Sequence, residues 1–190
     1  HGDPVLVNRA KIGLGQMLVA LSRIDEARPI AREILEFSRK TADRRSEHSG
    51  FHFLADCALI EGTLTEALGM YRESLVLVEA VGDRIETSAE VEGIAMALAG
   101  LGHHATAVRL VAAMRAEWAR QGVHLAIRFW DVLHERYIAP ARVALGPDQS
   151  GRASSAGRET KFETAVAEAL ALASRLAPAA VDHAASPHQR

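Results

Sequence analysis

Three alanines, Ala27, Ala67 and Ala107, stand 40 residues apart. Each follows a small or polar break in an apolar helical pattern, at Ser22, Gly62 and Gly102. Cut into blocks of 40 from Lys11, the sequence aligns without gaps. Leu14, Leu54 and Ile94 coincide, as do Gly15, Ala55 and Ala95, and then Leu18, Ala58 and Leu98. A fixed period of this size predicts a stacked array of repeats. Apolar residues at helical spacing, and no sustained alternation, make each block helix–turn–helix. The small residues have a steric reason. A small residue on the first helix (15, 55, 95) and alanine on the second (27, 67, 107) let two backbones approach. A larger residue at 67 would overpack the contact by about 1–3 kcal/mol.

The fold class expected is therefore all-α, an array of antiparallel helix pairs over residues 1–122. A helical C-terminal cap is expected over 123–177. Within it, "LAIRFWDVLHERYIAPARVAL" (125–145) and "KFETAVAEALALASRLA" (161–177) read as helices. The Gly/Ser-rich stretch 146–160 reads as a mobile loop, and 178–190 as a disordered tail.

Composition narrows the function classes. The 190 residues are 48% apolar with a formal net charge of −2. There is no basic excess to mark a nucleic-acid surface. No apolar run approaches the roughly 18–20 residues of a membrane span. The start lacks a secretory pattern and a Met, which makes a fragment or processed product the expectation. A single cysteine, Cys57, excludes an internal disulfide framework and fits a reducing, cytoplasmic compartment.

The spacing resembles the tetratricopeptide repeat. The residues that carry the likeness are Leu14-Gly15, Leu18 and Ala27, then Leu54-Ala55, Ala58 and Ala67, then Ile94-Ala95, Leu98 and Ala107. The later aromatic of that family falls at Tyr71 in the second copy only, and its Trp and closing Pro are missing. HEAT and armadillo repeats have a period closer to 40, but the Gly/Ala-to-Ala spacing favours the tetratricopeptide type. Residues 80–175 also resemble the C-terminal region of actinobacterial LuxR-type regulators and signalling ATPases. The matches are Ala112-Ala113, Arg115 and Gly122, then Tyr137, Ala141 and Leu145-Gly146, then Gly157-Arg158, Ala165-Val166 and Ala169-Leu170. The stretch 147–156 departs from that pattern. The resemblance implies a sensing or partner-binding arm, with nucleotide and DNA modules elsewhere.

In tetratricopeptide arrays the first helices line the concave face. By register this implies a partner groove of Arg9, Ile12, Gln16, His52, Asp56, Leu59, Glu92 and Met96, with Val19, Ile60 and Ala99 beside them. The alternating charges argue against a nucleic-acid track. The lining suits a protein or peptide segment, including other domains of a parent regulator. A small-molecule effector and a self-association module, hence a homodimer, are the alternatives. An effector pocket would need a closed apolar end near Met96 and Trp130. His48, His52 and Asp56 share one helical face and are the candidates for a metal, although a stable site needs a further ligand. Solvated groove residues are the blander reading, and no metal or cofactor is expected. Trp118, Phe129, Trp130 and Tyr137 read as core under the cap. No catalytic motif is present: "KIGLGQ" lies inside a helix pattern, and His134-Glu135 lacks its second His. The expectation is a binding protein, not an enzyme.

Overall fold

The computed structural model describes residues 2–123 and 128–177, helical apart from short connections and ends. The chain is an all-α array. Helices α1 (Pro4–Ala20) and α2 (Ile24–Thr41) form the first pair. Helices α3 (Arg44–Glu61) and α4 (Leu64–Val81) form the second, and α5 (Arg84–Gly100) and α6 (His104–Arg120) the third. Helices α7 (Arg128–Glu159) and α8 (Phe162–Leu176) follow. Each helix from α1 to α6 packs on the next in sequence, α1 also meets α3, α3 meets α5, and α8 packs back on α4, α5 and α6. This is consistent with a tetratricopeptide-like repeat. The second helices begin three residues earlier than the alanines that identify them.

The 40-residue period extends to the ends of the helices. Asp3, Asp43 and Asp83 cap the three first helices, each accepting from a backbone N–H of the first turn. Such a cap satisfies donors that the helix cannot use itself. The turn inside each pair places Ser22, Gly62 and Gly102 at φ 55, 83 and 89°. The turn between pairs, and the one after α6, place Ala42, Gly82 and Gly122 at φ 54, 76 and 69°. The left-handed region is where glycine ends a helix without steric cost.

Ala27, Ala67 and Ala107 are all fully buried, as are Ala55 and Ala95. Gly15 needs its bareness: a Cβ there would stand 2.9 Å from the Phe53 ring. Ala27, Ile34 and Leu54 belong to a cluster under the first two pairs. A larger one runs from Ala55 through Tyr71, Ile94 and Met114 to Phe162 and Ala173. Cys57 is enclosed, and burial pushes its thiol up to about 12, an inert packing group. Arg44 and Arg45 open α3 and Arg84 opens α5. Arg84 compensates its place at a helix N-terminus by pairing with Glu117 and Glu163, each at 2.8 Å.

The stretch 146–160, expected to be a mobile loop, is mostly helix. Helix α7 bends at Gly146 (φ 74°, ψ 165°) and resumes at Pro147. Proline at the first helical position gives up an N–H that has no partner there, and its φ suits the new helix. Small residues then let this half of α7 lie close to α6. A Cβ on Gly157 would run into the carbonyl of Arg109 and the methyl of Ala112. The second cap helix, α8, matches the sequence reading closely. The tail 178–190 lies outside the described residues.

Candidate functional site

The face that would be an open groove is partly filled by the chain itself. Helix α7 packs across α5 and α6, burying Leu133, Tyr137, Ile138 and Ala141. The Tyr137 hydroxyl donates to the Leu59 carbonyl at 2.7 Å, and Arg136 reaches the Ile60 carbonyl at 2.6 Å. What remains is a cleft of about 520 Å³ bounded by α1, α3, the C-terminal end of α4, the start of α5 and the start of α7. Gln16, Met17 and Val19 line it from α1, and His48, His52 and Asp56 from α3. Val78 and Val81 line it from α4, Ile85 and Glu86 from α5, and Phe129 and Trp130 from α7.

The sequence-derived groove divides accordingly. Gln16, Val19, His52 and Asp56 do line the cleft. Leu59 and Met96 do not: both are fully enclosed in the core, because α5 and the end of α3 are covered by α7. Ala99 is buried with them. Glu92 is buried and engaged with the cap. Its Oε1 accepts from Arg115 Nε at 2.8 Å, and its Oε2 lies 2.8 Å from His134 Nε2. Arg9 is exposed outside the cleft, and Ile12 packs against the first core cluster. Trp118 and Tyr137 are buried as expected of cap core, but Phe129 and Trp130 are half-buried and face the cleft. Trp130 lines the cleft and Met96 does not.

Beside the cleft His48, His52 and Asp56, which share a face as the sequence reading has it, join a polar network with Glu90 and Tyr71, which that reading did not contain. Glu90 of α5 is fully buried and its Oε1 meets two histidines of α3, His48 Nε2 at 2.9 Å and His52 Nδ1 at 2.7 Å. His52 Nε2 lies 3.3 Å from Asp56 Oδ2, and the Tyr71 hydroxyl of α4 donates to Asp56 Oδ1 at 2.5 Å. Burial disfavours a charge on His52, but the carboxylates of Glu90 and Asp56 outweigh it and hold the imidazole up at about 10. Burial likewise works against the Glu90 carboxylate, and the two histidines hold it down at about 2. Burial raises Asp56 and Tyr71. His52 is thus an imidazolium with both N–H groups committed. His48 Nε2, facing an ionised carboxylate, must donate. One signal could have revealed Glu90. It aligns with Ala10 and Gly50, a seam between helices, where a carboxylate needs a partner from the next helix.

The network does not make a metal centre. The histidines point to one carboxylate oxygen rather than to a common vacant point. Among the described residues no group of three His, Cys, Asp or Glu is arranged to hold a metal ion. No described helix is long and apolar enough to cross a membrane. Trp130 lies nearly parallel to His52, 16° between planes and 6.4 Å between centroids.

No family model, curated protein or solved structure matches the chain.

Proposed function

We propose that the chain is a non-catalytic binding module that takes a protein or peptide segment in the cleft beside Trp130. The parent would be a cytoplasmic bacterial transcriptional regulator of LuxR type or a signalling ATPase, with this array as its sensing or interaction arm. The cleft carries the reading. It is left open by α7, whereas Leu59 and Met96 are enclosed. It offers aromatic and aliphatic walls from Phe129, Trp130, Val78 and Ile85, with Gln16 and Glu86 for polar contacts. A segment seated there touches four helices from three repeats and the cap. Binding would then bias how those elements pack, and through them the docking of neighbouring domains. The parent assignment rests on the order and spacing of the residues between 80 and 175 that resemble such regulators.

A small-molecule effector is the second reading, favoured by size. The cleft of about 520 Å³ falls among ligand pockets, which span roughly 300–1,000 Å³. Native mass spectrometry of gently purified protein separates the two. A retained small mass, lost in Trp130→Ala, supports the effector. A bare chain that binds segments of its parent on a peptide array, again through Trp130, supports the peptide reading. A bare chain indifferent to both overturns the proposal.

A further inference from the structure

The cations around the cleft all have partners. Arg45 Nη2 lies 3.5 Å from Asp83 Oδ2. His48 and His52 both turn to Glu90 Oε1, and Asp56 is engaged by His52 and the Tyr71 hydroxyl. The carboxylates are not so placed. Glu86 lines the cleft, is exposed, and has no side-chain partner among the described residues. One turn further along α5, the buried Glu90 keeps its Oε2 without a hydrogen-bond donor among them. The uncommitted charge at the cleft is therefore negative. An acid in the first turn of a helix has a simpler use, since it faces the positive end of the dipole. At α5 that need is already met by Asp83, whose Oδ1 accepts from the N–H groups of Ile85 and Glu86. In the repeat register Glu86 aligns with Ser46 and Leu6, so α1 and α3 form without a carboxylate there. What distinguishes Glu86 is its company. It shares the cleft with Phe129 and Trp130. Its charge reaches the His52 ring and helps to hold that imidazole up, and Trp130 lies 6.4 Å from the same ring.

We propose that the segment taken by the cleft carries a lysine or arginine side chain, whose cation sits between the Glu86 carboxylate and the Trp130 indole. This rests on the peptide reading of the cleft. An exposed carboxylate alone holds a cation weakly. An aromatic face adds an attraction of its own, and more of it once water is excluded. The two together discriminate by charge. A cationic segment gives Glu86 the partner it lacks. An uncharged one covers the carboxylate and leaves it without a partner, and an anionic one adds repulsion. The rest of the wall fits the same side chain. Val78, Val81 and Ile85 are apolar, and the long stem of lysine or arginine packs on such a surface while its head stays with the charge.

Capped octapeptide libraries test it. They share one apolar composition and form three sets that differ in a single residue: lysine, glutamine or glutamate. Each set is passed over the immobilised full chain, and the retained peptides are quantified by mass spectrometry. The lysine set should be retained at least tenfold better than the glutamine set, and the glutamate set least of all. Glu86→Gln should bring the lysine set down to the level of the glutamine set. Retention of the glutamine set itself should not change, which shows that the variant is folded. Glu86→Lys should reverse the order in favour of glutamate, and Trp130→Ala should release all three sets. Three sets held alike through Trp130 overturn the cation and leave the peptide reading standing. A lysine preference that survives Glu86→Gln overturns the proposal too, because another group then holds the cation. No set held by the wild type overturns both. Phenethylamine bound through Glu86 in that case would give the site to a free amine instead of a segment.

Discussion

Glu90 and His52 meet at 2.7 Å across the seam between α5 and α3, the carboxylate fully enclosed and the imidazole almost so. The pair joins the second repeat to the third. Removing one partner leaves the other charged and buried, at a cost of about 3–5 kcal/mol. Glu90→Ala should lose stability on that scale in urea unfolding. His52→Leu combined with Glu90→Leu should recover part of it, because both charges go together. If the double variant is no better than the single, the two residues are not coupled.

The same pair predicts a pH profile. His52 ordinarily titrates near 6.5 and sits at about 10 in the fold. Its contribution is complete below pH 6.5 and is lost as the pH rises through about 10. Glu90 ordinarily titrates near 4.5 and is held at about 2. Its contribution is complete above pH 4.5 and is lost as the pH falls through about 2. From this pair, stability should be flat between pH 4.5 and 6.5. Above that it should fall by up to about 1.4 kcal/mol per pH unit, the limit for one proton. Glu90→Gln removes the main support of the imidazolium, so its profile should be flatter above pH 6.5. Parallel profiles for wild type and variant would show that the ion pair does not set the slope.

What the sequence reveals about this fold is whatever a helix pair imposes on its own residues. Ala27, Ala67 and Ala107 are legible because close crossing restricts side-chain size at one fixed spacing. The site is less legible because it depends on packing between distant segments. Leu59 and Met96 have the register of groove residues, and nothing near them in sequence says that α7 will cover them. Glu90 and His48 stand 42 residues apart, one repeat plus two positions. Only alignment of the repeats shows a carboxylate where its counterparts are alanine and glycine. The stretch 146–160 misleads for a related reason: its Gly, Ser and Ala suit a mobile loop and a closely packed helix equally well.

Two glycines in that stretch separate those readings. A Cβ on Gly151 meets nothing within 4 Å, whereas one on Gly157 collides with the α6 backbone at Arg109. In a helix, Gly151→Ala should stabilise by up to about 1 kcal/mol. Gly157→Ala should destabilise by about 1–3 kcal/mol, since a backbone carbonyl cannot move aside as a side chain can. Thermal unfolding of the two variants reads both signs. A loop would leave both near zero.

The turns give the last prediction. Four of the six repeat-related left-handed positions are glycine, while Ser22 and Ala42 hold φ of 55 and 54° with a Cβ present. A non-glycine residue in that region costs about 1–2 kcal/mol, and the added freedom that glycine gives the unfolded chain returns part of the gain. Ser22→Gly and Ala42→Gly should therefore each stabilise the chain by a few tenths to about 1 kcal/mol. Ser22 and Ala42 lie 20 residues apart in different turns, so their effects should add. The reverse change at an aligned position, Gly62→Ala, should cost a similar amount. Its Cβ would have ordinary space, with the Arg136 guanidinium as its nearest neighbour at 3.5 Å, so the loss would come from the backbone alone. Urea midpoints of the three variants check the argument. A neutral Gly62→Ala would mean that this turn relaxes out of the left-handed region, and the repeat-wide pattern of φ would lose its energetic basis.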